Sequence, residues 1–159
     1  MSRRVYVTTA IPYVNARPHL GFARELVLAD CIARSQRLLG RESRLQTGTD
    51  ENAFKNVQAA RDAGTDTALL VKRHAEDFRQ LGTLLQAEVA VFVRTADREH
   101  HRAVHRLWGL LRPEDLYRQR YTGLYCLGCE DFYQERDLNG GCCPVHGTKT
   151  TAVEEENVF

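Results

Sequence analysis

Arg4-Val-Tyr-Val-Thr-Thr9, then Ala10-Ile-Pro-Tyr-Val-Asn-Ala-Arg-Pro18, then His19-Leu-Gly-Phe22: this unbroken stretch decides the fold. Residues 4–9 alternate and are rich in β-branched side chains, which predicts a strand. Pro12, Asn15 and Pro18 punctuate the next segment as a loop. From His19 to Leu39 the period becomes helical. Leu20, Ala23, Val27 and Cys31 form a stripe, widened by Leu28 and Ile32, that is expected to face the core, with Cys31 as a small buried hydrophobe. Arg24, Arg34, Arg37 and Arg41 are expected to face water, and Gly40 supplies the stop. A second strand, Glu42 to Gln46, is expected to end in a turn at Thr47-Gly48-Thr49-Asp50. A helix from about residue 51 to 63 closes on Gly64, and Thr65 or Asp66 caps the next, which runs through Leu69, Leu70, Phe78 and Leu81. A third strand, Val89 to Val93, precedes a helix from about 97 to 111, and Pro113 interrupts. Strands separated by helices build a parallel sheet with crossover helices, an α/β fold of Rossmann-like type.

After Tyr117 glycine, cysteine and acidic residues replace the helical period. The expected organisation is therefore a nucleotide- and amino-acid-binding half-domain over 1–116 and a small second domain over 117–159. The 159 residues carry 22 basic and 21 acidic side chains, 43% hydrophobic residues and 27% charged ones, an ordinary globular composition that argues against disorder and against a general attraction for nucleic acid. No apolar run approaches the roughly 20 residues that span a bilayer. MSRRVYVTTA lacks a signal-peptide core, so a cytoplasmic protein with reduced thiols is expected.

In open parallel sheets, ligands gather beyond the carboxyl ends of the strands, where helix N-termini favour phosphate. Two segments fall there. In the first, 10–22, Gly21 lets a ligand approach the backbone and His19 can donate to a phosphate oxygen. In the second, Gly48-Thr49-Asp50-Glu51, a carboxylate could capture an ammonium group. On residue types alone, a bland loop with a capping proline and a surface histidine is the readier reading.

Cys126-Leu-Gly-Cys129 and Cys143-Pro-Val-His146 are separated by 13 residues, giving C-x2-C-x13-C-x2-H. Three thiolates and one imidazole suit a closed tetrahedral zinc site of structural type, a zinc knuckle. Free thiols or a decayed site are the competing reading. Cys142 could replace Cys143, although the CPVH spelling favours Cys143. His101 and His105 lie one helical turn apart but lack the glutamate of H-E-x-x-H, so a solvated face is expected. His74 and His100 have no partner in sequence, and Asp30 and Arg34 form an i,i+4 pair.

The stretches VYVTTAIPYVNARPHLGF, VLADCIARSQRLLGRESRLQTGTDEN, VFVRTADREHHRAV, GLYCLGCEDFYQERDL, CPVHG and EEENVF resemble, in family order, the start of methionyl-tRNA synthetases, class I aminoacyl-tRNA synthetases. The resemblance implies ATP-dependent activation of methionine for ligation to tRNA, with magnesium accompanying ATP and structural zinc in the connective domain. His19-Leu20-Gly21-Phe22 matches the signature usually spelled His-Ile-Gly-His, whose histidines stabilise the ATP phosphates as the methionine carboxylate attacks the α-phosphate. It implies His19 as the catalytic residue, Asn15, His19 and Gly21 for ATP, and Ile11, Tyr13 and Asp50 for methionine. Cys126, Cys129, Cys143 and His146 are the metal ligands it implies.

Three departures accompany the match. Phe22 stands where the second histidine is usual, and Asn52-Ala53 where Gly-Thr-Asp-Glu-His-Gly ends in His-Gly. The Lys-Met-Ser-Lys-Ser loop has no counterpart, Lys55, Lys72 and Lys149 being the only lysines. The chain thus reads as a truncated synthetase that does not charge tRNA alone, completed by a C-terminal half or by self-association. The alternative is a noncatalytic paralogue that binds a small molecule or a protein.

Overall fold

The computed structural model describes residues 4–159, which divide into two compact units between Val104 and His105. The first unit holds strand β1 (Arg4–Thr8), helix α1 (Leu20–Leu38), β2 (Glu42–Thr49), α2 (Phe54–Asp62), α3 (Thr67–Leu84) and β3 (Val89–Arg94). The strands form a parallel sheet in the order β1-β2-β3, with Val7 beside Leu45 and Gly48 beside Val93. This is the expected α/β crossover arrangement. Helix α4 (Arg98–Trp108) spans the division and buries none of its residues, so His101 and His105 lie on the solvated face expected of them.

The core face of α1 differs from the expected stripe. Phe22, Leu26, Ala29, Asp30 and Ala33 are buried, whereas Leu20, Val27, Leu28, Ile32 and Cys31 are exposed. The apolar residues of this helix fall on two stripes, and the one carrying Phe22, Leu26, Ala29 and Ala33 is the buried one. Phe22 meets Phe78 of α3 edge to face, ring centroids 4.8 Å apart, beside Leu26, Leu45, Val71 and Ala75. Asp30 enters this face because it is paired. Its Oδ2 accepts from Arg34 Nε at 2.7 Å and its Oδ1 from the Glu88 amide at 3.0 Å.

Strand β2 also runs further than the sequence indicates. Thr47, Gly48 and Thr49 continue the strand instead of turning, and all three are buried. Helix α2 consequently starts at Phe54, and Asp66 is the cap of α3, its Oδ1 accepting from the Leu69 amide at 3.1 Å.

The second unit contains β4 (Arg118–Cys126), β5 (Asp131–Tyr133) and β6 (Thr151–Val158), an antiparallel sheet in the order β5-β4-β6. Arg118 lies opposite Val158 and Arg120 opposite Glu156, and the ion pairs Arg118–Glu156 and Arg120–Glu154 run diagonally across β4 and β6. No helix among the described residues is long and apolar enough to cross a membrane.

Candidate active site and cysteine–histidine cluster

Because the three strands of the first unit are parallel, their carboxyl ends share one edge. The segment after β1, which leads into α1, and the residues following β2 and β3 are joined there through Pro12, Asp50, Glu51 and Thr95. Val14 is fully buried and anchors the loop. Its carbonyl lies 2.7 Å from Nδ1 of buried His74 on α3, the partner that sequence spacing could not supply. On either side of that anchor, Ile11 and Asn15 are exposed and Tyr13 is half-buried.

His19 caps α1 instead of entering it. Its backbone is extended, and Nδ1 accepts the Gly21 amide at 3.0 Å. An accepting Nδ1 carries no proton, so the neutral ring holds its proton on Nε2. The cap therefore fixes a tautomer with a donor at the far side of the ring, next to the positive end of the helix dipole. Gly21 makes this possible, because a Cβ there would lie 2.7 Å from His19 Cε1. Substituting His19→Ala is expected to remove the cap and destabilise α1 by about 1 kcal/mol, the usual cost of a lost cap. A urea melt measures this, and His19→Asn, which can still cap, should melt close to the parent chain.

Asp50 directly follows β2 and is fixed on several sides. Its amide donates to the Pro12 carbonyl at 2.8 Å and it pairs in parallel with Tyr13. The Asn52 amide donates to Oδ1 at 3.1 Å, and Asn56 Nδ2 donates to the Asp50 carbonyl at 3.3 Å. Tyr13 and Asp50 are thus brought together, with Lys55 Nζ 5.2 Å from the Tyr13 ring centre. Beside them lies a buried ion pair not anticipated from the sequence. Arg94 Nε and Nη2 donate to Glu51 Oε1 and Oε2 at 2.8 and 2.7 Å. The Glu51 carboxylate holds the Arg94 guanidinium above its ordinary pKa.

In the second unit, one ligand atom from each of Cys126, Cys129, Cys143 and His146 lies within 4.8 Å of every other. The four are those picked out by their spacing, and Cys142 lies outside the group. Separations are 3.4 Å for Cys129 Sγ to Cys143 Sγ, and 4.0, 3.2 and 3.8 Å from His146 Nδ1 to the sulfurs of Cys126, Cys129 and Cys143. A regular zinc shell with bonds of about 2.3 Å to sulfur and 2.0–2.1 Å to nitrogen places its ligand atoms roughly 3.5–3.8 Å apart. The residues present therefore fit such an ion. A Cβ on Gly128 would lie 2.7 Å from His146 Cγ, so only glycine leaves room for the imidazole. Burial opposes ionisation of Cys143, but the His146 amide, 3.4 Å from its sulfur, and the His146 ring prevail and lower its pKa to about 6. Tyr133 Oη donates to Cys129 Sγ at 3.1 Å, a contact no sequence pattern announced.

The model of the methionine class I tRNA synthetases, "tRNA synthetases class I (M)", matches residues 5–158. The chain belongs to that family. It is 39% identical to a methionine–tRNA ligase of Rhizobium meliloti and 40% identical to one of Mycobacterium tuberculosis, in each case over 97% of this chain and 31% of the relative. A solved structure of Mycobacterium tuberculosis methionyl-tRNA synthetase in complex with methionyl-adenylate superposes with a TM-score of 0.90 at 37% identity, covering 99% of this chain and 32% of that one. A leucyl enzyme from Agrobacterium radiobacter, at 19% identity and a TM-score of 0.78, shares the fold. The chain thus spans about a third of the length of the methionine–tRNA ligases it matches.

Against the family's signatures, two departures acquire a physical reading. Phe22, at the place of the second signature histidine, is 6% exposed and belongs to the core, so it supplies packing where a donor is usual. Ala53, at the place of the usual glycine, has φ −128° and ψ 148°, an extended conformation open to any residue, so the methyl group imposes no backbone strain.

Proposed function

We propose that this chain carries the methionine- and ATP-recognising part of a methionyl-tRNA synthetase. In this reading the Asp50 carboxylate receives the methionine ammonium, and Ile11 and Tyr13 wall the side chain. His19 donates from Nε2 to a phosphate oxygen as the methionine carboxylate attacks the α-phosphate and pyrophosphate leaves. Asn15 and the Gly21 backbone complete the ATP contacts, with magnesium accompanying the nucleotide. The observation that carries the reading is the junction of Pro12, Tyr13 and Asp50, which joins an anion and an aromatic wall to the loop leading into the His19-capped helix. Phe22 removes one donor from the signature, a change that typically costs about 10²–10³ in rate where such donors meet developing charge. Recognition is accordingly expected to survive better than catalysis, which also leaves room for a binding role without turnover.

Cys126, Cys129, Cys143 and His146 would hold zinc in a closed shell, where the ion cross-links the small second domain. In the same reading the ligand-binding half-domain is the unit that ends at Val104, and the metal-stabilised domain lies in the unit that begins at His105. The setting is the cytoplasm.

Calorimetric titration with a non-hydrolysable methionyl-adenylate analogue tests the recognition. Saturable binding is expected, weakened about 100-fold by Asp50→Ala as a buried ammonium loses its counter-charge. Absence of binding at millimolar ligand would overturn the reading.

A further inference from the structure

The Glu51–Arg94 pair lies outside every role given above, yet it abuts the residue on which ammonium recognition depends. Glu51 has a side chain 1% exposed, and that of Arg94 is 20% exposed. Burying a carboxylate is costly unless each lone pair is engaged, and here both oxygens are. Oε1 accepts from Arg94 Nε and from Thr49 Oγ1 at 3.0 Å, and Oε2 accepts from Arg94 Nη2. The backbone joins in. The Glu51 amide donates to Thr95 Oγ1 at 2.7 Å, and the Thr95 amide donates to the Thr49 carbonyl at 3.2 Å. The knot therefore clamps the residues immediately before and after Asp50 to the end of β3.

Resting on the reading of Asp50 as the ammonium acceptor, we infer that Glu51, Arg94 and Thr95 are positioning residues for Asp50. They touch no ligand themselves. A two-point guanidinium–carboxylate fork has a fixed geometry, so it transmits the position of β3 to the adjoining peptide. The Asp50 amide can then reach Pro12, and its carboxylate keeps one orientation. A knot that served stability alone would affect all ligands of the site equally. A positioning knot affects only ligands bearing the ammonium.

The test uses the 159-residue chain, with Glu51→Gln, which weakens the fork, and Thr95→Val, an isosteric change less able to disturb folding. Each is titrated with the methionyl-adenylate analogue and with its counterpart lacking the α-amino group, and Asp50 amide exchange is followed by NMR. Both variants are expected to bind the amino ligand about tenfold more weakly and the desamino ligand within about twofold, with faster exchange at Asp50. Combined with Asp50→Asn, Glu51→Gln should cost nothing further, the non-additivity of residues acting through one group. Equal losses for both ligands, or no loss and unchanged exchange, would overturn the inference. Should the parent chain bind neither ligand, the reading of the site falls, and exchange at Asp50 decides the clamp by itself: faster exchange sustains it and unchanged exchange refutes it.

Discussion

Treating the zinc-loaded chain with excess chelator is expected to abolish protected structure from about residue 120 to 150 while the parallel sheet persists. The reason lies in what the second unit buries. Among the described residues, its buried hydrophobic side chains are Cys126 and Cys143, two of the four cluster members, and the remaining buried apolar residues belong to the first unit. A small domain without an apolar core depends on a staple, and here the staple and the core are the same atoms. The sheet adds mainly exposed pairs, Arg118 with Glu156 and Arg120 with Glu154, and such pairs stabilise little. Amide exchange before and after chelation measures the effect. Cys143→Ser should reproduce it, whereas Cys142→Ser, outside the cluster, should leave exchange unchanged. Undiminished protection of residues 120–150 without metal would contradict the account.

Gly48→Ala is expected to destabilise the first unit by about 3 kcal/mol or more, a large fraction of the 5–15 kcal/mol typical of a folded domain. A Cβ at Gly48 would lie 2.1 Å from the Val93 carbonyl oxygen, 2.9 Å from Val93 C and 3.1 Å from Val93 N. These are backbone atoms of the neighbouring strand and have no rotamer to change. Relief demands that β2 and β3 part where Gly48 pairs with Val93, one residue before the Thr49–Arg94 pair. The Glu51–Arg94 fork would part with them. The midpoint of urea unfolding, followed by a probe of the first unit, should fall accordingly, and an unchanged midpoint would contradict the close approach.

Gly48 also illustrates what the sequence could convey. Thr-Gly-Thr-Asp has the composition of a turn, and local composition cannot reveal that a neighbouring backbone passes within reach of a missing Cβ. The α/β order was legible because strand and helix periods alternate cleanly from Arg4 to Arg94. The buried side of α1 was not, since Leu20, Val27, Leu28 and Ile32 form a second apolar stripe beside that of Phe22, Leu26, Ala29 and Ala33, and helical period alone does not choose between two such stripes. Strand β6 was not legible for another reason. Glu154, Glu155 and Glu156 disfavour a strand locally, and cross-strand arginines make it tolerable only once the sheet exists. In the sites, spacing sufficed to group Cys126, Cys129, Cys143 and His146, because the cluster is written in two short pairs. Glu51 and Arg94 are 43 residues apart and carry no such spelling.

One ligand site, formed by the loop after β1, the capped start of α1 and the end of β2, is the basis of the proposed recognition. The most direct measurement is an amide NMR titration of the chain with the non-hydrolysable methionyl-adenylate analogue. Saturable shifts are expected to concentrate at residues 11–15, 19–22 and 50–52 and to be absent in Asp50→Ala at the same ligand concentration. Shifts confined to the second unit, or none at all at saturating ligand, would contradict the proposed recognition.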